Sequence, residues 1–285
     1  MAFNYQTLKK LTNESLLDLT VNSGDFATGA IDTAQLADNT ITGTELGTGA
    51  VNLGSSTTTG SLGTTKGGTG ITSFAGAYRG LTVNSSNNGL TFQPIGIRGM
   101  TVFTGSGTWN KPAGVRYVYV QVQGGGGGGS GHGESGAAGG YSEEIVDVTG
   151  VSSVSVGVSG ESGGTYYSNA GGNGGGSSFG PYCSASGGHG ANRHNQHNGG
   201  LPGVGSGGNL NIYCGAGGSH EQRSSGMGGS SFWGGPAPAG HPQGGHFAHN
   251  HQGHSAPGTG GTSGYFSGHR GSNGRPGLVV ITEFY

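Results

Sequence analysis

Two histidine pairs carry the spacing of metal ligands: His194-x-x-His197 and His249-x-His251. Neutral imidazole nitrogens suit divalent transition metals, and either spacing lets two rings approach one ion. No cysteine or carboxylate adjoins the pairs, and neither fits a structural zinc motif. Two readings stay open: a cation held by His249 and His251, or exposed imidazoles that hydrogen-bond or touch a ligand. All 11 histidines lie beyond Gly124. With an ordinary pKa of about 6.5, they make this half of the chain more positive below that pH.

Aromatic residues cluster with the histidines. The segments are Tyr166-Tyr167, Phe179-Gly180-Pro181-Tyr182, Arg193-His194-Asn195-Gln196-His197-Asn198, Phe232-Trp233, His246-Phe247-Ala248-His249-Asn250-His251 and Tyr265-Phe266. Large aromatic rings beside adaptable polar groups give contact area at low entropic cost, as in an antibody combining site. The candidate contact residues are Tyr166, Tyr167, Tyr182, Arg193, His194, His197, Trp233, His246, Phe247, His249, His251, Tyr265 and Phe266. Phe179 and Phe232 each follow two serines and are expected to serve packing instead.

Catalytic chemistry has little support. Gly67-Gly68-Thr69-Gly70 lacks the Lys-Ser/Thr of a phosphate loop, and there is no nucleophile elbow. The adjacent Glu143 and Glu144 sit in a strand-like run, so their side chains point to opposite faces. Hydrolysis of a glycan needs two carboxylates facing each other. An enzyme is not expected, and no cofactor other than the candidate cation is implied.

Something must hold these segments in place. The chain has 285 residues, 30% of them hydrophobic and 8% charged, with a formal net charge of −2. A conventional core is therefore small, yet the high net charge of most disordered chains is missing. No basic run or RNA-binding motif supports a nucleic-acid partner. Residues 1–6 are not a secretory leader and no run is long enough to span a bilayer. Synthesis in a reducing cytosol is expected, which favours free thiols at Cys183 and Cys214 over a disulfide.

Most of the 70 glycines lie at or beyond Gly124. Collagen is excluded by the irregular period and by only nine prolines. Runs in step every third residue do occur, as at Gly258, Gly261 and Gly264, then Gly268, Gly271, Gly274 and Gly277. Three residues per turn is the period of polyproline II, which has no internal hydrogen bonds. Several such helices packed with glycine at the contacts can satisfy one another's N–H and C=O groups.

Strand-like alternation brackets this region. Met100–Phe103, Val115–Val122, Ser142–Val148, Ser153–Val158 and Leu278–Phe284 are expected to form one sheet. Gly80–Asn84 and Leu90–Phe92 flank a turn at Asn87-Asn88-Gly89 and read as a hairpin. Upstream, Val21, Ile31, Ile41 and Val51 recur every ten residues with Phe26, Leu36 and Leu46 midway. Two apolar residues per repeat cannot make a core in one chain, so association of chains is expected, most simply as a homotrimer; the other reading is a flexible linker. Residues 1–20 hold a short amphipathic run of leucines.

The motifs resemble those of bacteriophage tail fibres. Ile31-Asp32-Thr33-Ala34-Gln35-Leu36 and Ile41-Thr42-Gly43-Thr44-Glu45-Leu46 are similar to fibre-shaft repeats, and Lys66-Gly67-Gly68-Thr69-Gly70 to a recurring fibre element. Gly107-Thr108-Trp109-Asn110-Lys111-Pro112 before the glycine run, with the closing Gly274-Arg275-Pro276-Gly277-Leu278-Val279-Val280-Ile281, resembles the glycine-rich domain that ends many such fibres. The implied organisation is a virion-attachment segment (1–20), a shaft (21–54), a Thr/Gly-rich segment (55–98) and a host-recognition tip (99–285). The implied fold is mainly β and irregular: a trimeric shaft, then a β-sheet with packed polyglycine II helices. The implied partners are a tail or baseplate protein at the N-terminus and a host glycan or outer-membrane protein at the tip. A glycan would stack on Trp233 or Tyr167, and three copies of His249 and His251 would surround an axial cation. The alternative is a purely structural fibre or spacer of the virion.

Overall fold

The computed structural model describes residues 79–83, 86, 89–131, 133–165, 169–192, 198–219, 226–236, 255–264 and 269–285, all within the contact unit Ser73–Tyr285. The leucine run of 1–20, the repeats of 21–54 and the Thr/Gly-rich stretch up to residue 78 lie outside the described residues. Among those described, the structure is all β, with antiparallel sheets and no helix.

The strands are β1 (Arg79–Val83), β2 (Leu90–Pro94), β3 (Ile97–Phe103), β4 (Gly107–Asn110), β5 (Tyr117–Gln123), β6 (Tyr141–Asp147), β7 (Ser153–Gly157), β8 (Ser177–Phe179), β9 (Cys183–Ala185), β10 (Gly205–Ser206), β11 (Leu210–Ile212) and β12 (Leu278–Phe284). The hairpin expected around Asn87-Asn88-Gly89 is β1–β2, with Leu81 opposite Phe92 and Val83 opposite Leu90. The remaining strands make two five-stranded sheets, ordered β11-β6-β5-β12-β3 and β10-β9-β8-β7-β4.

The single expected sheet is thus corrected to two. β3, β5, β6 and β12 share the first, but β7 pairs with β4 and β8 in the second. The reason is burial on facing surfaces. Val118, Val120 and Val122 of β5 and Val279 and Ile281 of β12 pack in one cluster with Val154 and Val156 of β7, Trp109 of β4 and Phe179 of β8. Alternation says which residues of a strand point inward, not which of two layers the strand joins. Phe179 lies in this core, edge-on to Trp109 at 5.8 Å. Trp109 donates its indole N–H to the buried Glu283 at 2.9 Å. Arg98 and Thr101 also donate to that carboxylate, at 2.7 and 3.2 Å, so its charge is compensated.

Beyond the sandwich, its strands run on into glycine-rich segments. β5 continues into residues 124–130, and residues 134–140 lead back into β6. Successive N–H groups of the first segment turn to different neighbours in rotation. Gly124, Gly127 and Ser130 donate to residues 140, 137 and 134; Gly125 and Gly128 to 175 and 172; Gly126 and Gly129 to 275 and 272. Its carbonyls accept from further segments: Gly125 and Gly128 from 188 and 191, Gly127 and Ser130 from 261 and 264, Gly129 from 165. Residues 134–140 repeat the pattern. Ser135 and Ala138 donate to 218 and 215, Gly136 and Gly139 to 261 and 258, Ala137 and Gly140 to 189 and 186. Each segment is bonded on all sides by other main chains, which is how a buried backbone without a ladder stays satisfied.

This explains the glycines directly. A Cβ on Gly126 would fall inside the van der Waals envelope of the Thr259 carbonyl, and one on Gly127 would strike that of His189. Gly105, by contrast, has open space around a Cβ. Gly126→Ala is expected to cost about 3 kcal/mol, at the upper end of overpacking penalties, whereas Gly105→Ala leaves stability within about 0.5 kcal/mol. Chemical denaturation of the two variants beside the parent checks the contrast.

Candidate functional site

The path of the main chain sorts the described residues that flank the candidate segments into two groups. At the end remote from the sandwich the brackets are in register. Thr165 and Ala191 donate to Gly129 and Gly128, Gly264 to Ser130, and Ser135 to Gly218. These residues bracket 166–168, 193–197, 265–268 and 220–225, and Gly133 donates to Gly264 among them. The Thr165 hydroxyl donates to the Asn169 carbonyl at 2.7 Å and closes the first bracket. Tyr166, Tyr167, Arg193, His194, His197, Tyr265 and Phe266 lie outside the described residues, but their flanking residues meet at this one end.

Other flanking residues belong to the sandwich side. Residues 226–231 return towards β6, and Ala256 N–H donates to the Gly235 carbonyl at 3.3 Å. That contact brackets 237–254, which hold His246, Phe247, His249 and His251. These four also lie outside the described residues.

Two candidate residues are described in full. Tyr182 packs at the rim of the sandwich, its ring 5.8 Å from that of Phe179. It follows a turn in which Gly180 adopts φ of 49°, a left-handed conformation that glycine enters freely. Trp233 is different. It is 37% exposed and stands nearly perpendicular to Phe232, with centroids 5.7 Å apart at 88°. Phe232 lies flat on the buried Tyr141, at 3.8 Å and 11°. The expected packing role of Phe232 is therefore met on its inner face alone, since 46% of it remains exposed.

The Tyr141 hydroxyl leads to a polar group that the sequence does not single out. It donates to Glu143 Oε2 at 2.5 Å, and Tyr119 donates to the same oxygen at 2.5 Å. Gln121 Nε2 donates to the Tyr141 hydroxyl at 2.7 Å. Register explains the assembly: Gln121 lies opposite Glu143, Gln123 opposite Tyr141, and Leu210 and Ile212 of β11 flank them on the other side. Burial first, then the Glu143 carboxylate, pushes both phenols above their ordinary pKa. Both remain neutral donors. Cross-strand pairing that identifies this group could have been found only once the β5–β6 register was known.

Glu144 points the other way, as expected of neighbours on a strand. It lies opposite Val120, and its buried Oε2 has no hydrogen-bond partner among the described residues. Burial raises its pKa. Both cysteines are free, as expected. Burial, helped by Glu144, pushes the Cys183 thiol up to about 12. No group of three or more metal-ligating side chains occurs among the described residues.

No protein-family model matches this chain, and no curated protein matches it either.

Two outcomes follow from these burials. A carboxyl whose folded pKa is raised favours folding when protonated, and that contribution is lost as pH rises from the unfolded value of about 4.3 through the folded one. Glu144→Gln is therefore expected to unfold at a higher temperature than the parent at pH 7.5, with the gain gone at pH 4. Calorimetry at the two pH values measures it. Iodoacetamide at pH 8 is expected to leave Cys183 unmodified until the protein is unfolded, because a buried thiol with so high a pKa supplies almost no thiolate; mass mapping of the alkylated peptides reads this out.

Proposed function

We propose that this chain is a homotrimeric tail-fibre protein of a bacteriophage, in which the glycine-rich half forms the tip that recognises the host surface. In this reading residues 1–20 join a tail or baseplate protein, 21–54 form the shaft and 55–98 link it to the tip. The glycine segments are polyglycine II helices. The observation that carries the reading is the rotation of hydrogen-bond partners along residues 124–130 and 134–140. A three-residue rotation is the symmetry of polyproline II geometry. A block satisfied main chain to main chain places no demand on the sequence of its connections. The connections can then carry contact residues of any type.

Several observations support the remaining parts. The segments bracketed at the remote end carry Tyr166, Tyr167, Arg193, His194, His197, Tyr265 and Phe266, a mixture suited to a varied surface. The host ligand is a glycan or an outer-membrane protein loop. Exposed apolar residues lie on the first described strands in chain order: Leu81, Val83 and Ile95 around the hairpin, and Ile97, Met100 and Val102 on β3. Together with the ten-residue repeat they favour association of copies. The fibre is a component of the virion, assembled in the host cytoplasm, and acts by adhesion and not by catalysis.

Replacing residues 166–168, 193–197 and 265–268 together with glycine-serine linkers is expected to abolish adsorption of the particle to its host, while thermal unfolding stays within about 0.5 kcal/mol of the parent. Adsorption that persists at the parental rate would leave a purely structural spacer as the better reading. Light scattering on the full chain is expected to give three times the chain mass; a monomer would remove the trimer.

A further inference from the structure

The outer face of the first sheet carries a second feature, apart from the remote connections. Phe232 and Trp233 meet at a right angle and leave an open corner, with both rings partly exposed. The corner is fixed from beneath. Phe232 is stacked on Tyr141, and Trp233 meets Tyr141 edge-on at 6.5 Å. Tyr141 in turn is fully buried and hydrogen-bonded to Glu143 and Gln121. The rings are therefore held by a locked residue and not by a flexible surface contact.

Polar capacity is tied to the corner through Tyr141, whose ring stacks on Phe232 and whose hydroxyl is bonded to Glu143 and Gln121. Glu143 Oε2 accepts a hydrogen bond from each of the two phenols. A carboxylate has roughly four acceptor sites, so Oε1 retains acceptor capacity on a half-buried side chain. Gln121 uses its amide nitrogen on Tyr141, which leaves its carbonyl oxygen to accept. Aromatic planes with acceptor oxygens held by the same tyrosine fit a ligand that has an apolar face and several hydroxyl donors at its edge. That is the chemistry of a pyranose: one face of C–H groups to lie on an indole, and a ring of O–H groups to donate to a carboxylate. A purely apolar partner would leave the remaining acceptor oxygens of Glu143 and Gln121 desolvated without a donor. An anionic one would be repelled by it.

We propose that the corner of Phe232 and Trp233, with Glu143 and Gln121 at its edge, binds a neutral pyranose ring. Trp233 supplies the stacking plane, Phe232 the side wall, and Glu143 Oε1 and Gln121 Oε1 accept from neighbouring hydroxyls. The inference rests on the recognition reading and deepens it by giving Trp233 a side wall and named acceptors for the sugar, and the two fail separately. Adsorption reports on the remote connections, whereas sugar binding is read directly at the sheet.

The test uses the full chain with methyl α-D-glucopyranoside, methyl α-D-galactopyranoside and methyl α-D-mannopyranoside as probes. The chain has two tryptophans, and Trp109 is only 2% exposed. Acrylamide quenching therefore reports chiefly on Trp233. At least one probe is expected to protect Trp233 saturably and to show saturation-transfer NMR signals from its C–H face. Trp233→Ala is expected to abolish the NMR signals, and Glu143→Gln to weaken binding by about tenfold, the loss of one charge-assisted hydrogen bond. Unchanged unfolding temperatures in both variants keep the comparison valid; if one is destabilised, the other decides. Absence of binding for all three sugars overturns the proposal. So does binding that survives both substitutions at parental affinity.

Discussion

Main chains that exchange hydrogen bonds on every side must approach more closely than any Cβ permits, and the rest of this molecule follows from that. Gly124 to Gly129 each meet a neighbouring main chain or side chain at the place where a Cβ would stand. The bonds themselves are ordinary, at 2.8–3.0 Å along residues 124–130. Their net worth is about 0.5–1.5 kcal/mol each. Glycine offsets part of this through the conformational freedom it loses on folding. The block is stable because the bonds are numerous and mutually supporting, and because the buried amides would otherwise have no partner.

Such a block has no side-chain core of its own, so it needs a template. The sandwich provides one. Its strands arrive already spaced and parallel to the segments they become, and Gln123 ties the junction. This fully buried residue donates its amide to the carbonyls of Gly139 and Gly140, at 2.9 and 3.0 Å. At the opposite end of the sandwich, Glu283 gathers Trp109, Arg98 and Thr101. Hydrophobic burial thus organises one half and backbone pairing the other, with β12 joining them between β3 and β5.

Much of the sandwich was legible in the sequence. The alternating valines of β5, β7 and β12 announce strands with one buried face, and the Asn-Asn-Gly turn announces the hairpin. What alternation lacks is information on layers, hence the misplaced β7. The short strands β8, β9 and β10 escaped notice because their serines, glycines and alanines carry no β-propensity signal. They exist because neighbouring strands present unpaired edges. At the candidate sites, residue types identified Trp233 and the histidine pairs. The meeting of Tyr119, Tyr141 and Glu143 depends on the β5–β6 register. No local pattern encodes it.

The absence of room for a Cβ also reaches the nucleic acid that encodes the block. Glycine codons share their first two bases, and any substitution at either one brings in a residue with a Cβ or a stop. Third-position changes are silent. Selection on the packed segments is therefore expected to hold two bases of each triplet fixed and leave the third to drift. The segments between the glycine runs face no such bar, so heritable amino-acid diversity in the glycine-rich half is channelled to them.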